Sequence, residues 1–277
     1  MHVHITTEAP GALRAKFLIA RLARHWEKSR VRVTHGPQPA PGAQLGIVHV
    51  NRTRIGAHEL PPNETGRPLL NERVRDISKA RFSTLRVGPD DAWRGPVIVK
   101  SNLNHFGIPE ARGGGRWGER ARRAIARVSW RAARRLPPRR YPILPRLGEV
   151  PDWVWRDDEL VVERFVPERA DGLYCLRGWV FFGSRGYVYR LFSDDPLVKT
   201  GTSVRHEFLP APPPELEAIR AAHGFDFGKF DYVEHDGRAV LLDANKTPAI
   251  EAAADSPRMR ELAGALADFL PSSGARA

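Results

Sequence analysis

The chain has 277 residues and a mass of 31.1 kDa, enough for about two domains, or for one α/β unit with an appended lobe. Hydrophobic residues make up 42% and charged residues 27%, which argues against wholesale disorder. The one cysteine, Cys175, excludes a disulfide framework and a cysteine-based zinc cluster. No apolar run approaches the ~20 residues of a membrane span. The start, MHVHITTEAP, has neither the basic nor the apolar region of a signal peptide, so a soluble, cytoplasmic protein is expected. The net charge of +12 is concentrated: Arg112 to Arg140 holds eleven arginines against one acid, Glu119, a net +10. The rest of the chain is nearly neutral, which is not the pattern of a uniformly basic nucleic-acid coat.

In chain order, HVHIT (2–6) reads as a first strand, and GALRAKFLIARLARHWEKS (11–29) as an amphipathic helix. Leu13, Phe17, Ala20, Leu22 and Trp26 form its apolar stripe. VRVTHG (31–36) and LGIVHVN (45–51) are strands separated by a Pro/Gly loop, and β-α-β-β order predicts a parallel sheet. LPPNETGRP (60–68) reads as a linker, and 70–81 as a helix with Asn71 as N-cap. GPVIVK (95–100) is a strand followed by the loop SNLNHFGIPEARGGG. An arginine-rich helix follows over roughly 119–135, stopped by Pro137 and Pro138. ELVVERFV (159–166) is strand-like, and 173–193 is a hairpin turning at 183–186. A helix over 214–224, a second hairpin over 227–248 turning at Asp236-Gly237, and an amphipathic helix over 256–270 complete the chain.

The chemistry concentrates in FDYVEHDGRAVLLDANKTP. Side chains two apart on a strand share a face, so Asp243 and Asn245 project together and a registered hairpin can bring Asp231 beside them. Two carboxylates and an amide oxygen are hard donors suited to Mg²⁺ carrying nucleotide phosphates. The same spacing is also met by a hairpin with solvated aspartates. Against that, Asp243 follows Val240-Leu241-Leu242, where a strand would continue apolar. Lys100 ends the strand PVIVK beside a glycine-containing loop and can reach a phosphate as a point charge, or simply lie in solvent. ELVVERFVPE can offer backbone groups to a base and a carboxylate to ribose, or be an edge strand. No P-loop and no dinucleotide-binding glycine fingerprint is present.

PVIVK, then VVERFVPE, then LRGWVFFG, then FDYV…LLDANKTP, in this order, resembles the ATP-grasp superfamily over roughly residues 70–255. The resemblance implies an α/β (α+β) fold in which two lobes hold ATP, preceded by a small β-α-β domain. The division expected is 1–66 for that domain, 67–158 for the first lobe with the insertion 112–140, and 159–277 for the second lobe. It also implies nucleotide-binding roles for Lys100 and, more weakly, Lys79. Glu163 and the backbone of Phe165 and Val166 would meet the adenine, and Glu168 the ribose. Asp231, Asp243 and Asn245 would be ligands of Mg²⁺ or Mn²⁺, and Arg177 and Arg190 would be basic groups near the transferred phosphate.

The implied reaction joins a small-molecule carboxylate to an amine or thiol through an acyl phosphate, with release of ADP and phosphate. A kinase acting on a small polyanionic or hydroxyl acceptor is the alternative, and an RNA- or membrane-surface-binding arm at Arg112–Arg140 is a third. The sequence departs from the resemblance in three ways. Asp243 stands where many relatives carry Glu. The loop after Lys100, with Asn102, Asn104 and His105, lacks a compact Gly/Ser lid. The arginine insertion is not a family feature.

Overall fold

The computed structural model describes residues 1–60, 63, 66–107, 124–251 and 255–270. The chain begins with β1 (His2–Thr6), α1 (Leu18–Lys28), β2 (Arg32–Gly36), β3 (Leu45–Val48) and β4 (Leu69–Leu70). These strands form one parallel sheet in the order β2-β1-β3-β4; β-α-β-β order predicts the parallel pairing of the first three, whereas β4 lies where a helix is expected to begin. Val3 and Ile5 alternate toward α1, whose Leu18, Ile19, Leu22 and Trp26 are buried against them. The helix starts later than periodicity suggests because the residues before it pair elsewhere. Phe17 bridges to Ala249, Leu18 N donates to Pro248 O at 2.8 Å, and Ile250 N donates to Lys16 O at 2.9 Å.

The helix expected over 70–81 is replaced by a bend and one helical turn, α2 (Lys79–Phe82). Asn71 is not an N-cap: it is left-handed, with φ 58°, and is tied to a segment more than 150 residues away. Its backbone N donates to Asp226 Oδ2 at 2.6 Å, its Nδ2 donates to Phe227 O at 3.0 Å, and its Oδ1 accepts from Asp226 N at 2.8 Å. Val74 and Ile77 then pack against Phe181, Phe225 and Phe230, drawing the backbone away from helical spacing.

The middle of the chain builds a three-stranded antiparallel sheet, β6-β5-β7, from β5 (Val97–Ser101), β6 (Ile143–Leu144) and β7 (Leu160–Arg164). Between β5 and β6 the chain is helical at 124–128 (α3) and at Trp130–Ala133 (α4). The expected arginine-rich helix from 119 to 123 lies outside the described residues. Its end is set by Arg134, left-handed at φ 46°, before the prolines are reached. Val97, Val99 and Val162 pack on Leu147 and on Val154 of α5 (Asp152–Trp155).

The largest sheet is antiparallel, in the order β11-β10-β9-β12-β13 with β8 beside β9. Its strands are β8 (Glu168–Ala170), β9 (Leu173–Phe182), β10 (Arg185–Ser193), β11 (Arg205–Leu209), β12 (Phe227–His235) and β13 (Arg238–Asn245). The β12–β13 turn is Asp236-Gly237, as the sequence suggests, whereas the β9–β10 turn contracts to Gly183-Ser184. One face carries Trp179, Phe181 and Phe230, buried under Leu216 of α6 (Pro214–His223). The other carries Val180, Phe182 and Phe227, which share one core with α1, the parallel sheet and Met259 and Leu262 of α7 (Pro257–Gly264). Trp26 Nε1 donates to Ala263 O at 2.9 Å inside that core, satisfying the one polar atom of a buried indole. No described helix is long and apolar enough to cross a membrane.

Candidate functional site

A register irregularity between Asp231 and Tyr232 sets the geometry. It places Asp231 directly opposite Asp243 and Lys229 opposite Asn245 on β12 and β13. Directly opposed residues share a face, so the three oxygen-bearing side chains foreseen from spacing stand together, with Lys229 among them. The row continues across β9 and β10 through Gly178 and Tyr189. A Cβ at Gly178 would collide with the Tyr189 ring, so glycine here lets that ring lie across the strand beside Lys229.

Each carboxylate faces an ammonium. Lys229 Nζ stands 2.9 Å from Asp231 Oδ1, and Lys79 Nζ, arriving from α2, stands 2.9 Å from Asp243 Oδ1. Burial opposes both ammonium groups, but Asp231 beside Lys229 and Asp243 beside Lys79 outweigh it, so both pKa values lie above the ordinary lysine value. Lys100, diagonal to Glu163 across β5 and β7, pairs with that carboxylate at 2.6 Å, and Glu163 has no exposed surface. Tyr141 closes the cluster. Burial pushes its phenol up to about 12, with Asp243 and Glu163 adding to the shift and Lys79 opposing it, so it stays neutral. Its ring stacks on Phe106 with centroids 4.4 Å apart.

Two cavities adjoin this cluster. One of about 110 Å³ is lined by Ile98, Lys100, Phe165, Val166, Val233 and Leu242. A larger one of about 510 Å³ lies beyond Tyr141 and Phe165, between Trp130, Ile143, Tyr174 and Leu197. The smaller cavity is mostly apolar, with Lys100 and Arg164 as its cationic lining residues, a shape suited to a flat base with phosphates leaving toward Lys100.

The structure thus brings together Lys79, Lys100, Glu163, Asp231, Asp243 and Asn245, and sets Phe165 and Val166 along the adjoining cavity. It does not bring Arg177, Arg190 or Glu168 to the same place. Arg177 and Arg190 are paired with each other one position along from the Gly178–Tyr189 row, so alternation turns them to the opposite face from Asp231. There they hold Glu168. Arg177 Nε and Nη2 donate to it at 2.9 Å, Arg190 Nη1 lies 3.4 Å away, and Glu234 N donates to it at 2.8 Å. Arg177 also pairs with Glu234, and Arg190 Nε donates to Glu207 at 2.7 Å. Neither Glu168 nor Glu163 lines the two cavities.

Lys229, Tyr189 and Tyr141 are the members that sequence reasoning missed. Lys229 was within reach, since the same two-residue spacing that joins Asp243 to Asn245 joins it to Asp231.

The donors fit a hard dication. Apart from the lysines, Asp231 Oδ1 and Asp243 Oδ1 have no described partner although both are buried. Asn245 Oδ1 accepts from Thr247 N at 2.9 Å and keeps a second lone pair. Among the described residues no third His, Cys, Asp or Glu joins them. A cation here would complete its shell with water and phosphate oxygens, as Mg²⁺ commonly does.

No family model and no curated protein matches the sequence. Solved structures do. A macrocyclase, MdnC, bound with precursor peptide MdnA from Microcystis aeruginosa MRC superposes with a TM-score of 0.52 at 11% identity, over 99% of this chain and 100% of that one. The RimK domain protein ATP-grasp from Sphaerobacter thermophilus gives 0.50 at 14% identity, over 97% and 99%. A RiPP-associated ATP-grasp ligase from Chryseobacterium gregarium, in complex with ADP and a leader and core peptide, gives 0.50 at 8% identity, over 98% of each chain. At these identities the likeness establishes architecture.

Proposed function

We propose that this chain, which has the ATP-grasp fold, is an ATP- and Mg²⁺-dependent ligase. It activates a carboxylate as an acyl phosphate, which an amine then attacks with release of ADP and phosphate. The observation that carries the reading is the meeting of Asp231, Asp243 and Asn245 on the large sheet with Lys79 and Lys100, beside an apolar cavity. In this reading residues 1–66 form the N-terminal domain, 67–158 the first lobe and 159–277 the second.

Adenine packs between Ile98, Val166, Val233 and Leu242, where excluding water strengthens every charge contact at the phosphate end. Bound Mg²⁺, held by Asp231, Asp243 and Asn245, supplies charge neutralisation at the phosphate oxygens. Lys100 remains at the cavity edge, tethered by buried Glu163, and presents its ammonium to the α- and β-phosphates. With Asp243 engaged by a metal ion, Lys79 would be freed to exchange that carboxylate for a phosphate oxygen. The exchange conserves its charge pairing, so it is not penalised by burial. Positioning and electrostatics then do most of the catalytic work, as is general for phosphoryl transfer. Arg177 and Arg190 act as braces for Glu168 at the turn into β9.

The acceptor is proposed to be a small molecule or a peptide carboxylate. Two of the superposed proteins, the macrocyclase and the RiPP-associated ligase, are in complex with peptides. The test is trapping: with Mg·ATP, a panel of carboxylic acids and hydroxylamine, an acyl phosphate yields a hydroxamate. Hydroxamate formation that falls at least about a hundredfold in Asp243→Asn is the expected outcome. ATP consumption without hydroxamate, unchanged in Asp243→Asn, contradicts the reading.

A further inference from the structure

We infer that Tyr141, backed by Phe106, covers the phosphates of the bound nucleotide, its phenol O–H donating to a phosphate oxygen. The inference rests on the proposed Mg·ATP reading and deepens it. It assigns to two aromatic residues the cover that the loop after Lys100, without a compact Gly/Ser lid, does not supply.

Tyr141 stands where the apolar and charged parts of the site meet. It lines both cavities, beside Lys100 and Val166 in the smaller and beside Trp130 and Tyr174 in the larger. On its charged side the neighbours are Lys79, Asp243 and Glu163. All three act on it through charge, and none of them takes a hydrogen bond from its hydroxyl. A phosphate oxygen that takes the place of Asp243 at Lys79 therefore arrives beside a phenol able to donate.

The ring is held in place from two sides. Phe106 stacks on it, with centroids 4.4 Å apart and planes 29° from parallel. To do so Phe106 sits at φ 60°, a left-handed conformation that an aromatic residue rarely adopts and that collects at ligand clamps. The segment before Phe106 is pinned: Asn104 N donates to Thr53 Oγ1 at 2.7 Å, and Asn102 Oδ1 accepts from Ala80 N at 2.9 Å. Ala80 follows Lys79 in α2, so the backing ring and the phosphate lysine are fixed to one another. From the other side Lys199, between β10 and β11, donates to Arg139 O at 2.6 Å. Its Nζ lies 5.8 Å from the Phe106 ring centroid.

The experiment measures, on the full chain by isothermal titration calorimetry, binding of Mg²⁺ with adenylyl imidodiphosphate, and of adenosine by displacement of that analogue. Wild type is compared with Tyr141→Phe, which keeps the ring and loses the O–H, and with Phe106→Leu, which loses the stack. Circular dichroism first shows that each is folded. Tyr141→Phe is expected to weaken the triphosphate analogue about tenfold and Phe106→Leu about threefold, while adenosine stays within about twofold in both. Unchanged analogue binding in Tyr141→Phe overturns the phenol contact, since phenylalanine meets a purely packing role. Equal losses for the analogue and adenosine place Tyr141 at the base end and overturn it as well. Unchanged analogue binding in Phe106→Leu overturns the backing role of the stack. The expected binding pattern without hydroxamate from any acid leaves the inference standing and removes the ligase reading. No analogue binding in wild type overturns both.

Discussion

Glu163 and His49 are both almost fully buried, and each shapes its surroundings. Glu163 pairs with Lys100 at 2.6 Å, which is why a strand-end lysine that would otherwise extend into water is held at the cavity edge instead. His49, 1% exposed, packs edge-on against Phe17, and neither ring nitrogen has a described hydrogen-bond partner. Burial, helped by the charge of Lys246, lowers its pKa to about 3 from 6.5. Protons therefore bind the unfolded chain first across that window, and stability falls as pH drops through it. Between pH 7 and pH 5 this one group should cost about 2 kcal/mol of stability. His2, His4 and His223, also lowered by burial, act in the same direction. Urea unfolding at the two pH values should show the loss, and His49→Gln should reduce it; an unchanged pH dependence in the variant would contradict the assignment. Residue-scale legibility was uneven. Asp231, Asp243 and Asn245 were readable because a strand repeats every two residues, but Tyr141 has no local signal, since its partners Lys79, Asp243 and Glu163 are all remote in sequence.

Strands were read well because their signal is local alternation and turn chemistry. The β12–β13 hairpin shows it: Gly237 at φ 72° and Asp236 at φ 50° make the turn that Asp-Gly predicts. The helix expected over 70–81 failed for the opposite reason. Its apolar positions fit a helical stripe, yet Asn71 spends its side chain on Asp226 and Phe227, bonds no local pattern announces. These bonds fasten the entry to α2, and so Lys79, to the start of β12. Asn71→Ala leaves the Asp226 amide and the Phe227 carbonyl without partners in the interior, a loss expected to destabilise by about 2–3 kcal/mol. Chemical denaturation measures it; a change below about 0.5 kcal/mol would mean the segment is held by Val74 and Ile77 packing alone. Arg177 and Arg190 illustrate a subtler miss. Their roles were carried over from the resemblance alone, whereas face is decided by register, and one position along β9 separates Arg177 from Gly178 in the site row.

Across the whole molecule, the apolar core beneath the parallel sheet is shared with α7 and with one face of the large antiparallel sheet, so the first and last segments of the chain fold onto one another. That arrangement puts the Asp231–Asp243 row on the same face as the shared core, and the aromatic core under α6 on the other. The parallel order of the first three strands and the two long hairpins were legible from sequence, because each follows from neighbouring elements. The joining of distant segments was not, because it depends on contacts such as Trp26 with Ala263 and Lys16 with Ile250.

The most direct test of the ligase account is ³¹P NMR of the purified protein with Mg·ATP and a desalted small-metabolite extract, run beside Asp243→Ala. The account predicts ADP and free phosphate, formed by wild type and lost in the variant. A new phosphoester or phosphoanhydride signal would make the chain a kinase, and ATP turnover unaffected by Asp243→Ala would remove the metal site from the chemistry altogether.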